Sequence, residues 1–225
     1  MSENAPPMFI PPPPQPVQQP EQYSQFGQDI IVTEIFKKKE NGYFVDLGAN
    51  NGIFFSNTYL LEKNYNWKGI CIDGNANTFQ ALTDNRVNST CVNKTVCDQT
   101  GQTLDFCVVT VDVLCALINY ADTAVDYLQA DGILIPVETT TLTDILDQNN
   151  APTNIEYLSI DTNGAEYQVL QGIDFNKYTF GVLTIEHSNI SQKQTSIREF
   201  LATKGYILYK ELFTDDIFVN SNLTV

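Results

Sequence analysis

The feature of this sequence that most restricts its fold is a glycine turn between residues 43 and 52. Residues with high β-propensity, Tyr43-Phe-Val45, lead into Asp46 and then into Gly48-Ala-Asn-Asn-Gly52. Glycine permits positive φ angles and lets the backbone approach a ligand closely. The apolar residues from Phe54 to Leu61 recur at helical spacing, so we expect a helix directly behind the turn, with its free N–H groups at the ligand. Strand, glycine turn and helix form the first unit of a nucleotide-binding α/β sheet.

A second acid follows the next predicted strand, which runs from Trp67 to Ile72 and ends in Asp73. A carboxylate at the carboxyl end of such a strand can accept hydrogen bonds from both hydroxyls of a ribose. The turn lacks the G-x-G core that a pyrophosphate requires, and Asp46 lies at its mouth. An acid in that place suits an ammonium or a sulfonium better than a phosphate. The pattern therefore favours S-adenosyl-L-methionine over NAD.

Charge and cysteine usage restrict the partners. The chain carries 27 acids and 12 bases, a net charge of −15, and such a field repels bare nucleic acid and anionic membranes. There is no apolar run long enough for a membrane span and no signal-peptide layout at the start.

The five cysteines contain no C-x-x-C pair, and Cys71, Cys91 and Cys107 fall in predicted strands. We expect buried, reduced thiols, no structural metal site and a cytoplasmic location.

The domain organisation follows from the distribution of proline. Residues 1–22 hold eight of the ten prolines, separated by glutamines. This Pro/Gln-rich segment predicts a disordered or polyproline-like tail, which is either a solvated leader or a ligand for a proline-recognition module. Residues 23–225, with their periodic apolar pattern, predict one folded domain.

Helical and strand patterns alternate through that domain. We predict helices at 24–40, around 76–82, at 112–130, 141–148 and 165–171, and through 197–201, and strands at 43–46, 67–72, 90–93, 104–110, 155–160, 180–186, 206–212 and 217–219. The last two strands are too close in sequence for a crossover, so they must pair antiparallel. The expected fold is α/β: a Rossmann-like class I methyltransferase with a mostly parallel seven-stranded sheet, a C-terminal antiparallel hairpin and helices on both faces. Residues 102–140 are interpreted as an insertion over the carboxyl ends of the strands.

Five sequence blocks, in this order, carry a resemblance to a known family. They are Tyr23-Ser-Gln-Phe-Gly-Gln-Asp29, Tyr43-Phe-Val-Asp-Leu-Gly-Ala49, Ser56-Asn-Thr58, Trp67-Lys-Gly-Ile-Cys-Ile-Asp73 and Leu158-Ser-Ile-Asp-Thr-Asn-Gly-Ala-Glu166. Together they resemble the FkbM-type methyltransferases from about Tyr23 to the C-terminus. The resemblance implies methylation of a hydroxyl on a small molecule, sugar or polyketide, with S-adenosylmethionine as donor and no metal.

The resemblance also implies roles for individual residues. Asp46, Gly48, Ala49 and Gly52, with Asn50 between them, would form the methionine side of the donor site, and Asp73 would hold the ribose. Thr95-Val96-Cys97-Asp98 would lie against the adenine, while Gln25 and Asn57 would line the pocket. Asp161 would face the methyl group.

The chain departs from the family pattern at two places. The family has Glu-Pro after the second strand, where this chain has Asp73-Gly74. It also has Val-Glu-Gly after the acid of the later strand, where this chain has Thr162-Asn163-Gly164. Loss of that carboxylate puts either the substrate or the activity in question.

Three residues are candidates for the chemistry. Methyl transfer from a sulfonium needs mainly alignment, and a base near neutral pKa helps to remove the hydroxyl proton. His187, the one histidine, follows the predicted 180–186 strand and is a candidate base or a loop residue that caps the strand. Asp161 is a candidate base or a helix cap, and Glu186 either orients His187, binds substrate or is a solvated acid.

Two other classes of function stay open on the sequence. A cap-type nucleic-acid methyltransferase would need a pocket lysine and a basic surface, and neither is evident. A catalytically decayed fold, kept as a binding or scaffold module, would account for the changes at Asp73-Gly74 and Asn163. Binding of S-adenosylhomocysteine separates the methyltransferase interpretations from the decayed fold.

Overall fold

A computed structural model of the chain describes residues 22–223. Within that range the strands are β1 (Tyr43–Leu47), β2 (Lys68–Asp73), β3 (Thr90–Asn93), β4 (Thr95–Val96), β5 (Thr103–Val108), β6 (Ala116–Leu117), β7 (Ile133–Thr140), β8 (Asn154–Ile160), β9 (Thr179–Glu186), β10 (Tyr206–Leu212) and β11 (Asp215–Asn220). The helices are α1 (Gln28–Ile35), α2 (Tyr59–Tyr65), α3 (Phe79–Asn85), α4 (Val125–Asp131), α5 (Leu142–Gln148), α6 (Glu166–Gln171) and α7 (Ser191–Thr203). The predicted tail at 1–22 lies almost wholly outside the described residues and stays a prediction.

Seven strands form the main sheet in the order β10-β11-β9-β8-β1-β2-β3. The pairs from β9 through β3 are parallel, whereas β11 runs antiparallel to both β9 and β10. This is the mostly parallel sheet with a C-terminal antiparallel hairpin that the sequence predicts. The register aligns the strand ends, because Leu47 pairs with Ile160 and Ile160 pairs with Ile185. The residues that follow these positions therefore emerge side by side at the carboxyl edge.

Helices cover both faces of the sheet, since alternate strand residues point to opposite sides. Val45 belongs to an apolar cluster with α5, α6 and α7, and its neighbour Phe44 belongs to a second cluster with α1, α2 and α3. Both side chains are fully buried. Cys71 and Cys107 are buried in the core, as predicted, but Cys91 is only half-buried. Each helix of the described range is too short or too polar to cross a bilayer.

Residues 102–140 form a small second layer beside the main sheet. Together with β4, which precedes the segment, its strands follow the order β4-β7-β5-β6, with β5 antiparallel to both β6 and β7 and β4 parallel to β7. The prediction of a helix at 112–130 is wrong, because this stretch holds a 3₁₀ turn (Asp112–Leu114), β6 and the short α4. The apolar residues at helical spacing reach one cluster from different elements: Leu117 of β6 pairs with Phe106 of β5, and Leu128 of α4 packs in the same cluster with Cys107.

The predicted helix directly behind the glycine turn is also wrong in its position. The helix α2 begins only at Tyr59, and Phe54 and Phe55 lie in a loop with half of each side chain exposed. The Oδ1 atom of Asn51 accepts hydrogen bonds from the backbone N–H groups of Ile53 and Phe54, which holds a turn in place of a helix. The helix terminus therefore does not follow the turn directly.

The predicted helix at 24–40 is shorter, Gln28–Ile35, because the flanking residues are engaged elsewhere. Asp29 accepts hydrogen bonds from the backbone of Tyr23 and the hydroxyl of Ser24, which folds the preceding segment back onto the helix. Ser24 then forms a β-bridge with Phe55. This bridge brings the block around Gln25 to the loop that follows the glycine turn.

Candidate active site

A cavity opens at the carboxyl edge of the main sheet, where β1, β2, β8 and β9 end and the 102–140 segment lies across them. Most of the predicted site residues share its lining: Gln25, Asp46, Gly48, Ala49, Asn50, Asn57, Asp73, Val96, Asp161 and Glu186. The segment 102–140 contributes further lining residues, among them Phe106, Leu114 and Leu117. The topology thus brings residues from distant parts of the sequence to one site.

The glycine turn places β1 against the loop after β8. Gly48 has φ of 87°, and a Cβ atom built on it would lie 1.7 Å from the carbonyl oxygen of Asp161. Only glycine can occupy this position, because both the dihedral angle and the contact exclude a side chain. The close approach fixes the distance between the turn and Asp161, and so the width of the cavity at this point.

Asp73 is tied to the same turn. Its Oδ2 atom accepts a hydrogen bond from the backbone N–H of Asn50 at 2.7 Å, and Oδ1 accepts one from Asn75 at 2.7 Å. Burial raises the pKa of Asp73 to about 6, although the two backbone amides favour the charged form. Each oxygen keeps a lone pair for a second donor. The carboxylate is thus oriented at the end of β2, where it can still accept hydroxyl groups.

A buried arginine lies beneath the turn and was not predicted from the sequence. The Arg86 guanidinium, fully buried, donates to Oε2 of Glu62 at 2.8 Å and to Oγ1 of Thr58 at 2.8 Å. One of its nitrogens also lies 3.7 Å from Oδ2 of Asp46. Burial raises the pKa of Asp46, while Arg86 and the hydroxyl of Thr58 oppose that rise. Asp46 is therefore held in place from below by protein groups.

Four residues that were predicted to form the site do not line the cavity: Gly52, Cys97, Asp98 and His187. Gly52 accommodates Arg86, since a Cβ atom on it would lie 2.6 Å from the arginine side chain. Cys97 is fully buried beside Val96, with its Sγ 3.3 Å from a carboxylate oxygen of Asp98. His187 is likewise buried, away from the lining.

The surroundings of His187 explain its position. Its Nδ1 atom accepts the backbone N–H of Asn189 at 3.1 Å, and Nε2 lies 3.0 Å from the side chain of Gln194 and 3.6 Å from Asp216. Burial lowers the pKa of His187, although Asp216 opposes this. The ring holds the loop after β9 against β11 and α7. The structure thus favours the loop-holding interpretation over a base in contact with the cavity.

Asn57 presents an unsatisfied acceptor. Its Nδ2 atom donates to Oγ of Ser159 at 2.9 Å, whereas the buried Oδ1 atom has no hydrogen-bond partner. Only 8% of the residue is exposed, and it lines the cavity. A buried polar atom without a partner is costly unless a ligand satisfies it. Asn57 therefore marks a place where a donor group of a ligand fits.

Three acids, which we term the acidic trio, meet at the other end of the cavity. They are Asp161 after β8, Glu166 at the start of α6 and Glu186 at the end of β9, and one carboxylate oxygen of each lies within 4.8 Å of the others. Burial, together with the charges of the neighbouring acids Asp215 and Glu166, raises the pKa of Asp161 to about 7. Burial and the charge of Asp161 hold the pKa of Glu186 well above its ordinary value.

Asp161 and Glu186 bring carboxylate oxygens to within 4.8 Å of each other. Two ionised carboxylates this close repel each other, which opposes ionisation of both. The buried Oε2 atom of Glu186 has no hydrogen-bond partner. The proximity of the two groups and their raised pKa values favour a state in which at least one of them is protonated.

Lys193 supplies the positive charge beside the trio. Its Nζ atom lies 2.5 Å from Oε2 of Glu166 and 2.6 Å from Oδ2 of Asp122. Carboxylates grouped in this way could share a metal cation, but the cation that the described residues provide there is this ammonium. Burial lowers the pKa of Lys193, but the carboxylates of Glu166 and Asp122 outweigh it and leave the value raised.

The two departures from the family pattern have local structural reasons. Asn163 donates its side-chain amide to the carbonyl oxygens of Val113 and Cys115, which a carboxylate in its place could not do. Gly74 packs under Phe106 and Thr95, where a Cβ atom would lie 2.8 Å from the Thr95 hydroxyl. Both departures therefore accommodate the 102–140 segment.

Comparison with protein-family models identifies the family of this chain. The model of the methyltransferase FkbM domain matches residues 46–208, and no curated protein sequence matches the chain. The match spans β1 to β10, including the glycine turn, Asp73 and the acidic trio.

Three solved structures with a similar fold are distant from this chain in sequence. The methyltransferase FkbM of Methylobacillus flagellatus KT is 15% identical, with a TM-score of 0.48, over 81% of this chain and 44% of that one. This chain thus spans less than half the length of that protein. A precorrin-6y C5,15-methyltransferase from Geobacter metallireducens GS-15 is 12% identical (TM-score 0.43), over 85% of each chain. A TehB-like SAM-dependent methyltransferase from Corynebacterium glutamicum is 8% identical (TM-score 0.44), over 88% of this chain and 89% of that one.

The family of the chain is shown by the match to the family model, which agrees with the α/β architecture described above. That model covers well over half of the chain. The chain belongs to the FkbM methyltransferase family.

Proposed function

We propose that this protein is an S-adenosyl-L-methionine-dependent O-methyltransferase that acts on a hydroxyl of a small molecule or sugar. The observation that carries the proposal is the position of Asp161. It lies in the cavity that holds Asp73 and the glycine turn, and burial raises its pKa to about 7. A carboxyl group with this pKa is suited to accept a proton near neutral pH.

The residues of the cavity fit the proposed donor. Asp73, at the end of β2, would accept the ribose hydroxyls, and the unpaired Oδ1 of Asn57 suits the ammonium of the methionine part. Val96, Phe106 and Leu114 offer apolar surface for the adenine. Acids at 46, 73, 161 and 186 all line the cavity, which favours a ligand with a positive centre over a diphosphate.

The chemistry expected of the protein is alignment and removal of one proton. S-adenosylmethionine, when bound, supplies a methyl group on a sulfonium, whose departure as a neutral thioether needs no further activation. Asp161 would take the proton of the acceptor hydroxyl as the oxygen forms its new bond to carbon. Glu186, with a carboxylate oxygen within 4.8 Å of one of Asp161, would orient the substrate hydroxyl beside that base.

The proposed acceptor is a neutral hydroxyl compound. The lining holds acceptor atoms of Asp161, Glu186 and Asn57, so the site can receive O–H or N–H donors; among the described lining residues, Lys94 is the single cation for a phosphate. At the rim, the rings of Phe54 and Phe55 lie with centroids 3.9 Å apart and are half exposed. Such apolar rings suit the C–H face of a sugar or another flat apolar surface.

Methyl transfer from labelled S-adenosylmethionine to a panel of acceptors tests this proposal. The panel pairs neutral sugars and hydroxylated small molecules with their phosphorylated forms and includes capped RNA. We expect transfer to a neutral hydroxyl, with turnover unchanged by a chelator because the family resemblance implies no metal. Asp161→Asn should lower turnover by ~10²–10⁴, the range for a general base, and keep donor affinity.

The matched control is Asp84→Asn, which neutralises an exposed acid on α3 that does not line the cavity. It should leave turnover unchanged. If Asp161→Asn keeps full turnover, Asp161 is not the base. If methyl transfer occurs to capped RNA alone, the acceptor is a nucleic acid and not a neutral hydroxyl compound.

A further inference from the structure

Lys193 occupies an unusual position for an ammonium group. It lies in the first turns of α7, its side chain is only 10% exposed, and it bridges two elements. One partner, Asp122, belongs to the segment that crosses the cavity, and the other, Glu166, belongs to the acidic trio. A lysine buried this far is held by its partners and not by solvent.

The second partner, Glu166, has polar contacts at both of its carboxylate oxygens. Oε1 of Glu166 accepts from the backbone of Thr162 at 2.7 Å, from the Thr162 hydroxyl at 3.0 Å and from the backbone of Gly164 at 3.1 Å. Oε2 faces Lys193. Glu166 thus accepts hydrogen bonds from the loop after β8 through Oε1 and contacts the ammonium of Lys193 through Oε2.

Negative charge surrounds the trio on several elements. Asp122 comes from the 102–140 segment, Asp161 and Glu186 from β8 and β9, Glu166 from α6, and Asp215 and Asp216 from β11. On the positive side, Arg198 is bound to Asp216 and Glu211, and His187 faces Asp216. Among the described residues, Lys193 is the cation in contact with the trio.

We propose that Lys193 is a positioning residue that sets the proton content of the acidic trio. By compensating the charge of Glu166, its ammonium makes ionisation of the neighbouring Asp161 and Glu186 less unfavourable. Without that charge, a third carboxylate within 4.8 Å would make the ionised state of the pair much less favourable. The catalytic meaning of this arrangement rests on the proposed role of Asp161, but the proton count does not.

The contact with Asp122 extends the inference to the covering segment. Asp122 also accepts a hydrogen bond from the Ser188 hydroxyl at 3.1 Å, next to His187 in the loop after β9. The same ammonium therefore ties the 102–140 segment to the trio. The position of the covering 102–140 segment and the charge state of Asp161 therefore depend on the same side chain, that of Lys193.

Carbon-detected NMR titration of the Asp and Glu carboxyl groups tests the proposal without donor or acceptor. Lys193→Gln should move the titration midpoint of Asp161 upward by roughly 1 pH unit or more, as for loss of an adjacent opposite charge. Lys193→Arg keeps the charge and should leave the midpoint close to that of the wild type. Lys177→Gln, at an exposed lysine paired with Asp147, is the control and should change nothing.

A second variant keeps the proposal testable if Lys193→Gln does not fold. Glu166→Gln removes one charge of the trio, so the midpoint of Asp161 should move downward. An unchanged midpoint in a folded Lys193→Gln or Glu166→Gln protein would overturn the proposal. Failure to transfer methyl groups would not affect this titration, so the two proposals fail separately. Where an acceptor is found, the acidic limb of the pH–rate profile should move upward in Lys193→Gln and return in Lys193→Arg.

Discussion

The side-chain amide of Asn163 donates a hydrogen bond to the carbonyl oxygen of Val113 across 3.0 Å. A second bond reaches Cys115, and Oδ1 of Asn163 accepts from the Thr123 hydroxyl. These bonds join the loop after β8, which bears Asp161, to the segment that covers the cavity. An amide is required at this position because the segment presents carbonyl oxygens, which need donors.

Replacement of Asn163 by glutamate, the residue of the family pattern, should therefore weaken the contact between the loop after β8 and the 102–140 segment that covers the cavity. A carboxylate would face two carbonyl oxygens without a proton to donate, and the expected loss of stability is roughly 1–3 kcal/mol. Amides of residues 110–123 should exchange faster with deuterium. Asn163→Ala, which removes the bonds without adding charge, should show a smaller effect. Equal stability and exchange in Asn163→Glu and wild type would contradict this role.

His187→Ala should affect stability and leave donor binding intact. The imidazole is buried between Gln194 and Asp216 outside the cavity lining, and its loss leaves buried polar groups unpaired at a cost of about 1–3 kcal/mol. Thermal unfolding and calorimetry with S-adenosylhomocysteine measure the two quantities. A variant of normal stability that fails in methyl transfer would return His187 to the role of base.

The raised pKa of Asp161 predicts a pH dependence of stability. An unfolded aspartic acid titrates near ~4, and the folded value is about 7. The folded state thus binds more protons over this interval, so the contribution of Asp161 to stability declines as pH rises from about 4 to 7. Asp161→Asn should remove that decline and be the more stable protein at pH 8, by an amount on the order of 1 kcal/mol or more.

Thermal unfolding of both proteins from pH 4 to pH 8 checks this prediction, with Asp84→Asn as the exposed comparison. If the stability of the wild-type protein rises between pH 4 and pH 8 as strongly as that of Asp161→Asn, then Asp161 titrates normally. The proposed base would then lack its physical basis.

The sequence predicts the main sheet well because each strand carries its own signal. Runs such as Ile155–Ile160 are apolar without interruption, as expected for strands buried on both faces, and the two C-terminal strands are too close for a crossover. The carboxyl edge of the sheet then determines which acids meet. Asp73, Asp161 and Glu186 follow directly from the strand ends.

The sequence does not predict the structural features that depend on contacts between elements distant in the chain. The apolar residues at 112–130 lie on separate short elements, with Leu117 on β6 and Leu128 on α4, that pack into one cluster, so a periodic pattern appears without a continuous helix. Arg86 gave no local signal, since its burial depends on Glu62 and Asp46 from other elements. Lys193 looks like an ordinary surface residue of α7 until the fold places Glu166 beside it.

Calorimetric titration with S-adenosylhomocysteine tests the central claim, that the cavity at the carboxyl edge binds the methyl donor, most directly. We expect one binding site in the wild-type protein, weakened by roughly 1–3 kcal/mol in Asp73→Ala, because the ribose hydroxyls lose a charged acceptor. Asp84→Ala should bind as the wild type does. Absence of binding at millimolar ligand, or equal affinity in Asp73→Ala and wild type, would contradict the account.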